Sequence, residues 1–195
     1  MQALGRIGPN AITRVAEALQ QQRGPQDTSR VFRRAGLSGH LASPPQDMVD
    51  EADARRLHAS LRLELGTAAA AQVTRAAGIA TAEYLLAHRI PKPVQRVLRL
   101  LPPALACRVL LSAIRRHAWT FAGSGRFEAR AGSPTMLTIR DNPLCRGMVS
   151  TEPACDYYAA TFEHLFRALV SAKTRVTETQ CEAKGDSGCR FELRW

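Results

Sequence analysis

The chain has 195 residues, 45 % of them apolar, with 27 Lys and Arg against 17 Asp and Glu for a net charge of +10. That length and apolar content suffice for one good core, so a single main domain is expected. The longest apolar stretch, Val97 to Ile114, is broken by Arg99, Pro102, Pro103 and Arg108, which excludes a membrane-spanning helix. Met1 to Asn10 lacks the continuous apolar segment of a secretory leader, and the five cysteines are an odd number. Reduced thiols and a cytoplasmic protein are therefore expected. The positive charge suits nucleic acid, anionic lipid or a carboxylate ligand. No paired Cys/His finger and no aromatic RNA-binding strand supports the first, so no nucleic-acid role is expected.

In chain order, the first two-thirds reads helical. Asn10 caps a helix with Ile12, Val15, Ala16 and Leu19 on one face, ending near Gly24. A short basic helix runs from Asp27 or Thr28 through Phe32 to Gly36. Ser38 to Gln46 reads as a loop, dividing an N-terminal helical extension (1–45) from a ligand-binding domain (46–195). Helices from about Met48 to Leu65 and Thr67 to His88 follow. The second is built largely of alanine, glycine and threonine, so its backbone admits a close neighbour, most simply another helix. Pro91 and Pro93 end it. Two further helical pieces, Leu98 to Leu101 and Ala104 to His117, carry an arginine-studded face.

From Ala118 the pattern turns to period two. Trp119, Phe121, Gly123, Gly125 and Phe127 fall on one face of an expected strand. Glycines in mid-strand often mark a place where another body nears the backbone, so aromatics around a bare glycine floor suggest a slot for a flat apolar ligand, or a gap filled by a packed segment. Thr135 to Arg140 reads as the partner strand. Tyr158, Phe162, Leu165, Phe166 and Leu169 mark an amphipathic helix from about Cys155 to Ser171. Lys173 to Cys181 and Cys189 to Trp195 form a closing hairpin around Gly185, Asp186, Ser187 and Gly188. The order is a helical block followed by β-β-α-β-β: an α+β fold with helices covering a small antiparallel sheet.

Four cysteines could carry chemistry. Pairing centred on Gly185 sets Cys181 opposite Cys189, with Cβ atoms about 5 Å apart and Phe191, Leu193 and Trp195 on the same face. Cys145 and Cys155 lie upstream, and four thiolates can close a tetrahedral zinc site. No Cys-x-x-Cys pair is present, and inert burial of small apolar side chains or a disulfide are equally compatible readings. His117, before the aromatic strand, and His88, ending the small-residue helix, are candidate axial ligands to a metal in a macrocycle; His40, His58 and His164 carry weaker signals. No dinucleotide fingerprint, P-loop, nucleophile elbow or His-Glu-x-x-His occurs.

The segments Arg116 to Arg126, Asn142 to Gly147, Cys155 to Glu163 and Cys181-x-Ala-x-Gly-Asp-x-x-Cys189-x-Phe resemble the 4-vinyl reductase domain family, over roughly Ala54 to Trp195. The likeness is nearest to members acting in bacteriochlorophyll biosynthesis in purple photosynthetic bacteria. It implies a fold similar to the TRAPP trafficking subunits and the haem-type nitric-oxide sensor domains, a tendency to pair as a homodimer, and a role in reducing the vinyl group of a divinyl chlorophyllide. Vinyl reduction needs a donor that belongs to a cofactor, and no site for one is visible. A carrier of a magnesium-tetrapyrrole intermediate is therefore the expected role, handing pigment to the biosynthetic enzymes, with peripheral contact at the photosynthetic membrane. Trp119, Phe121 and Phe127 would wall the macrocycle, and Arg126 or Arg116 would pair with its propionate. The alternatives are the vinyl reductase itself and an assembly or regulatory module.

Overall fold

The computed structural model describes residues 5–195, so the start of the Met1 to Asn10 segment lies outside the described residues. A two-residue strand β1 (Arg6–Ile7) opens the fold and pairs antiparallel with β2 (Val49–Asp50). Between them runs α1 (Asn10–Ala35), interrupted at Gly24, whose φ of 81° breaks the helix immediately before Pro25. The two expected helices are therefore one element with a kink. Gly36, left-handed at φ 71°, closes it, and Leu37 N–H reaches back to Phe32 O. The expected loop at Ser38 to Gln46 holds one helical turn, α2 (Gly39–Ala42).

Helix α3 (Glu51–Leu65) starts three residues later than its periodicity suggests, because Val49 and Asp50 are taken up in pairing with β1. The Asp50 carboxylate caps it by accepting from Ala52 N–H at 2.8 Å. Helix α4 (Thr67–His88) has the expected bounds. It lies on α8 (Asp156–Leu169) so closely that a Cβ at Gly78 would overlap Tyr157 O and sit 3.0 Å from Ala160 Cβ. The small-residue stripe is a helix-helix contact. On the other side, α1 and α3 pack against α4 and share one continuous core with the rest of the chain. Pro91 and Pro102 precede α5 (Lys92–Leu100) and α6 (Pro103–Arg116), and α5 is longer than expected because Pro93 is tolerated in its first turn.

The expected strand from Trp119 does not form. Trp119–Ala122 is one helical turn, α7, closed by an Ala122 N–H to Ala118 O bond of 2.7 Å. Alternate residues of a single turn mimic a period-two pattern, which is why the two readings are confused there. Gly123 then adopts φ 56° and ψ −124°, and the strand β3 (Arg126–Arg130) begins only after Gly125. The sheet order is β3-β4-β6-β5, antiparallel throughout, with β4 (Thr135–Arg140), β5 (Arg175–Gln180) and β6 (Cys189–Arg194). Ile139 pairs with Cys189 and Leu137 with Phe191, so Thr135, Leu137, Ile139, Cys189, Phe191 and Leu193 all face inward under α8. Phe121, Phe127, Phe162 and Phe191 join Tyr158 in an aromatic cluster with ring centroids 5.2–6.4 Å apart.

Candidate metal centre and ligand cleft

The glycine slot is filled. A Cβ at Gly123 would overlap the Glu51 carboxylate, and one at Gly125 would lie 2.6 Å from Arg140 O and 2.7 Å from Asp141 O. The body that nears the backbone is Glu51 itself, at the start of α3. Its Oε1 accepts from Ser124 Oγ at 2.6 Å and Arg146 Nη1 at 2.9 Å, and its Oε2 from Ser124 N–H at 2.8 Å. Burial raises the Glu51 pKa, but those hydrogen bonds and the guanidinium outweigh it and hold the carboxyl below the usual range.

The aromatic residues expected around that slot separate. Phe121 and Phe127 pack edge to face at 5.2 Å inside the cluster, whereas Trp119 is 60 % exposed on α7. His117 is exposed, with Nδ1 2.9 Å from Ala113 O. Arg126 reaches only Asp141, at 3.7 Å, and Arg116 is exposed. His88 packs on Tyr84 with centroids 4.9 Å apart. These groups do not converge on one pocket.

The four cysteines do converge. Cys145 sits in the turn after β4, Cys155 precedes α8, Cys181 ends β5, and Cys189 begins β6. All four are buried, and their sulfurs lie within 4.8 Å of one another. Cys145 to Cys189 is 3.5 Å, Cys155 to Cys189 3.4 Å, and Cys155 to Cys181 3.9 Å. Sulfurs about 2.3 Å from a central tetrahedral ion are about 3.8 Å apart. The four thiols are free, at separations well beyond a disulfide bond of about 2.05 Å. The closing hairpin supplies this geometry as its spacing suggests. The Gln180 to Arg190 pair directs Cys181 toward Cys189, across a loop containing a 3-10 turn at Glu182–Lys184 and Gly185 at φ 92°.

Three N–H groups donate to the sulfurs: Asn142 Nδ2 to Cys155 at 3.3 Å, Ala154 N–H to Cys181 at 3.4 Å, and Glu182 N–H to Cys189 at 3.5 Å. Such donors stabilise thiolate charge that a divalent ion leaves uncompensated in a four-sulfur shell. Bonds from Cys145, Cys155 and Cys189 pull the Cys181 thiol well down, while donation to Cys145 and its other neighbours, together with burial, pushes Cys155 well up. Asn142, fully buried, also accepts from Leu144 N–H at 3.0 Å, shaping the turn that carries Cys145. Asp186 accepts from Cys181 N–H at 2.8 Å and ties off the hairpin loop. Glu178 accepts from Cys155 N–H at 2.9 Å, but its Oε1 is buried without a partner. Burial, then the negative charge at Cys181, pushes its carboxyl up to about 9. A dication among the sulfurs would relieve that repulsion. Sequence reading missed Asn142, Glu178 and Asp186. Only the Asn-Pro turn pair and the Gly-Asp of the hairpin signalled any of them.

A cleft of about 540 Å³ opens between α4 and α8, lined by Ile79, Ala160, Ala168 and Ala172, with His164 on its wall and Arg75 and Arg167 beside it. Both arginines are about half exposed and share Glu163, at 3.4 and 3.9 Å. Pockets of 300–1,000 Å³ suit small organic ligands. Sequence reading gave His164 little weight because no neighbouring residue in the chain marks it; the cleft exists only once α4 lies on α8.

The fold is that of the H-NOX proteins. An Fe(II) unliganded H-NOX protein from K. algicida superposes with a TM-score of 0.60, covering 96 % of this chain and 96 % of that one at 9 % identity. Residues 135–195, which contain all four clustered cysteines, match the 4-vinyl reductase domain. The chain is 43 % identical to the bacteriochlorophyll synthase 23 kDa chain of Cereibacter sphaeroides, over 96 % of its own length and 90 % of the relative. It is 39 % identical to the Rhodobacter capsulatus protein of the same name, over 96 % and 86 %. The chain belongs to this family of bacteriochlorophyll synthase 23 kDa chains.

Proposed function

We propose that this protein serves bacteriochlorophyll biosynthesis by holding a magnesium-tetrapyrrole intermediate in the cleft between α4 and α8 and releasing it to the enzymes of the pathway. The observation that carries the reading is the donor set of that cleft: an apolar alanine and isoleucine floor, one imidazole and two arginines. A magnesium tetrapyrrole presents complementary chemistry, with a flat apolar face, an open axial position and a carboxylate. His164 would offer a ring nitrogen to the metal, and Arg75 or Arg167 would exchange Glu163 for the propionate. An open cleft suits a carrier, because the ligand leaves without unfolding the wall.

The same proposal assigns zinc to Cys145, Cys155, Cys181 and Cys189. The ion would fasten the sheet, the start of α8 and the turn after β4 together; a shell closed by four protein ligands leaves no position for substrate, which is the pattern of a structural site.

Adding magnesium protoporphyrin to the purified protein should shift the Soret band at micromolar concentration. His164→Ala should weaken binding roughly tenfold, and Arg75→Ala with Arg167→Ala a further fivefold or more, in line with the loss of one ligand and one charge-assisted pair. An unchanged spectrum would refute the carrier. Turnover of a divinyl substrate by the pure protein with NADPH would replace it with the reductase.

A further inference from the structure

The surface of α5 and α6 is not used by either site. Their inner faces are anchored: Leu98, Ala106, Cys107, Leu110 and Leu111 are buried, and Gln95 Nε2 donates to Leu86 O and Ile90 O at 2.5 and 2.8 Å. Their outer faces are unusually apolar. Val94, Val97 and Leu100 follow one another at threefold spacing on α5, with Leu100 86 % exposed, and Leu105 and Val109 follow on α6 at 48 % and 50 %. Trp119 stands just beyond α6. Large aliphatic side chains clustered outward in this way mark an interaction surface.

The charge around them has one sign. Between Glu83 and Glu128 the chain holds no Asp or Glu but eight Lys and Arg, among them Arg96, Arg108 and Arg116. None of these three takes part in an ion pair among the described residues. A second copy of this cationic face would repel it, and a nucleic acid would have no use for the aliphatic row. An amphipathic pair of helices with outward aliphatics, flanking arginines and an indole at the edge suits the boundary of a bilayer, where the apolar groups enter the acyl region and the cations meet anionic headgroups. We infer that α5 and α6 form a docking face for an anionic lipid bilayer. Arg99 on α5 donates to Ala168 O at 3.0 Å, and Ala168 lines the cleft, so a docked α5 would hold the cleft close to the membrane surface.

Flotation of the full chain, free of pigment, with phosphatidylcholine vesicles containing or lacking phosphatidylglycerol tests this without depending on the cleft. Binding is expected only to the anionic vesicles and should fall at high salt. Arg96→Gln, Arg108→Gln and Arg116→Gln together should weaken it about a hundredfold, at roughly fivefold per charge. Val97→Ser, Leu100→Ser and Leu105→Ser together should weaken it at least about tenfold. All six positions are exposed, and unchanged far-ultraviolet circular dichroism controls for folding. In Trp195→Phe protein, brominated lipid should quench the remaining exposed indole, Trp119, which gives a second readout on an unaltered face. Three results would each overturn the inference: no flotation with anionic vesicles at low salt, equal binding to neutral vesicles, or binding untouched by the serine substitutions together with unquenched Trp119. So would light scattering that shows the same face joining two copies of the chain.

Discussion

His58 and Gly123 show how far a single side chain can be read without its neighbours. His58 is buried, with Nε2 3.3 Å from Ala11 O and its ring edge-on to Tyr157 at 5.6 Å. Burial pulls its pKa down to about 4; the Ala11 carbonyl opposes that and the Arg62 charge adds to it. The ring is therefore neutral in the fold, so it donates to Ala11 O. The unfolded chain takes up a proton near pH 6.5 and the native state does not until about pH 4. The stabilisation is full above pH 6.5 and is lost as pH falls toward 4, by about 3 kcal/mol. Denaturant midpoints across that range should show the decline, and His58→Leu should flatten it. A slope unchanged in the variant would assign the effect elsewhere. Gly123 teaches the converse. Its lack of a side chain is legible in the sequence as room for another body, but that the body is the Glu51 carboxylate, more than seventy residues earlier in the chain, is not.

The long helices were legible because each carries several turns of consistent pattern and its own punctuation: Gly36 after α1, Asp50 before α3, Gly66 before α4 and Pro102 before α6. Short elements were not. One turn at Trp119–Ala122 has too few residues to separate a period of two from one of 3.6, and β1 and β2, two residues each, exist only through their partner. The small-residue helix α4 was read for what it permits, and α8 is what it admits. Gly78→Ala should therefore force the two helices apart, because the obstructing atoms, Tyr157 O and C, are backbone and cannot rotate away. A loss of about 1–3 kcal/mol is expected by chemical denaturation. Gly39→Ala, where a Cβ meets nothing within 4 Å, should cost far less and serves as the control.

The four cysteines tie together parts of the chain that hydrogen bonding joins only in pairs: the turn after β4, the start of α8 and both strands of the closing hairpin. If zinc holds them, it stabilises the native state alone. At a free ion level about a thousand times the dissociation constant that amounts to about 4 kcal/mol, or about 8–16 °C in Tm for a chain of this size. A strong chelator should lower the melting temperature by that amount, and restored zinc should recover it. Cys189→Ser, which removes a central sulfur, should purify with less than one zinc per chain. A Tm indifferent to the chelator, with no metal found in the protein, would leave the cluster as packed thiols.

The α+β class, the bounds of the long helices, the order of the four sheet strands along the chain and the facing of Cys181 toward Cys189 were all readable from residues alone, because each follows from local periodicity or from one turn. Folding in three dimensions was needed to establish that Cys145 and Cys155 close the same cluster, that the glycines after Trp119 make room for Glu51 rather than a ligand, and that His164 lines a cleft. Those facts depend on which segments meet across long stretches of chain, and side-chain pattern along one strand or helix carries no record of what packs against it.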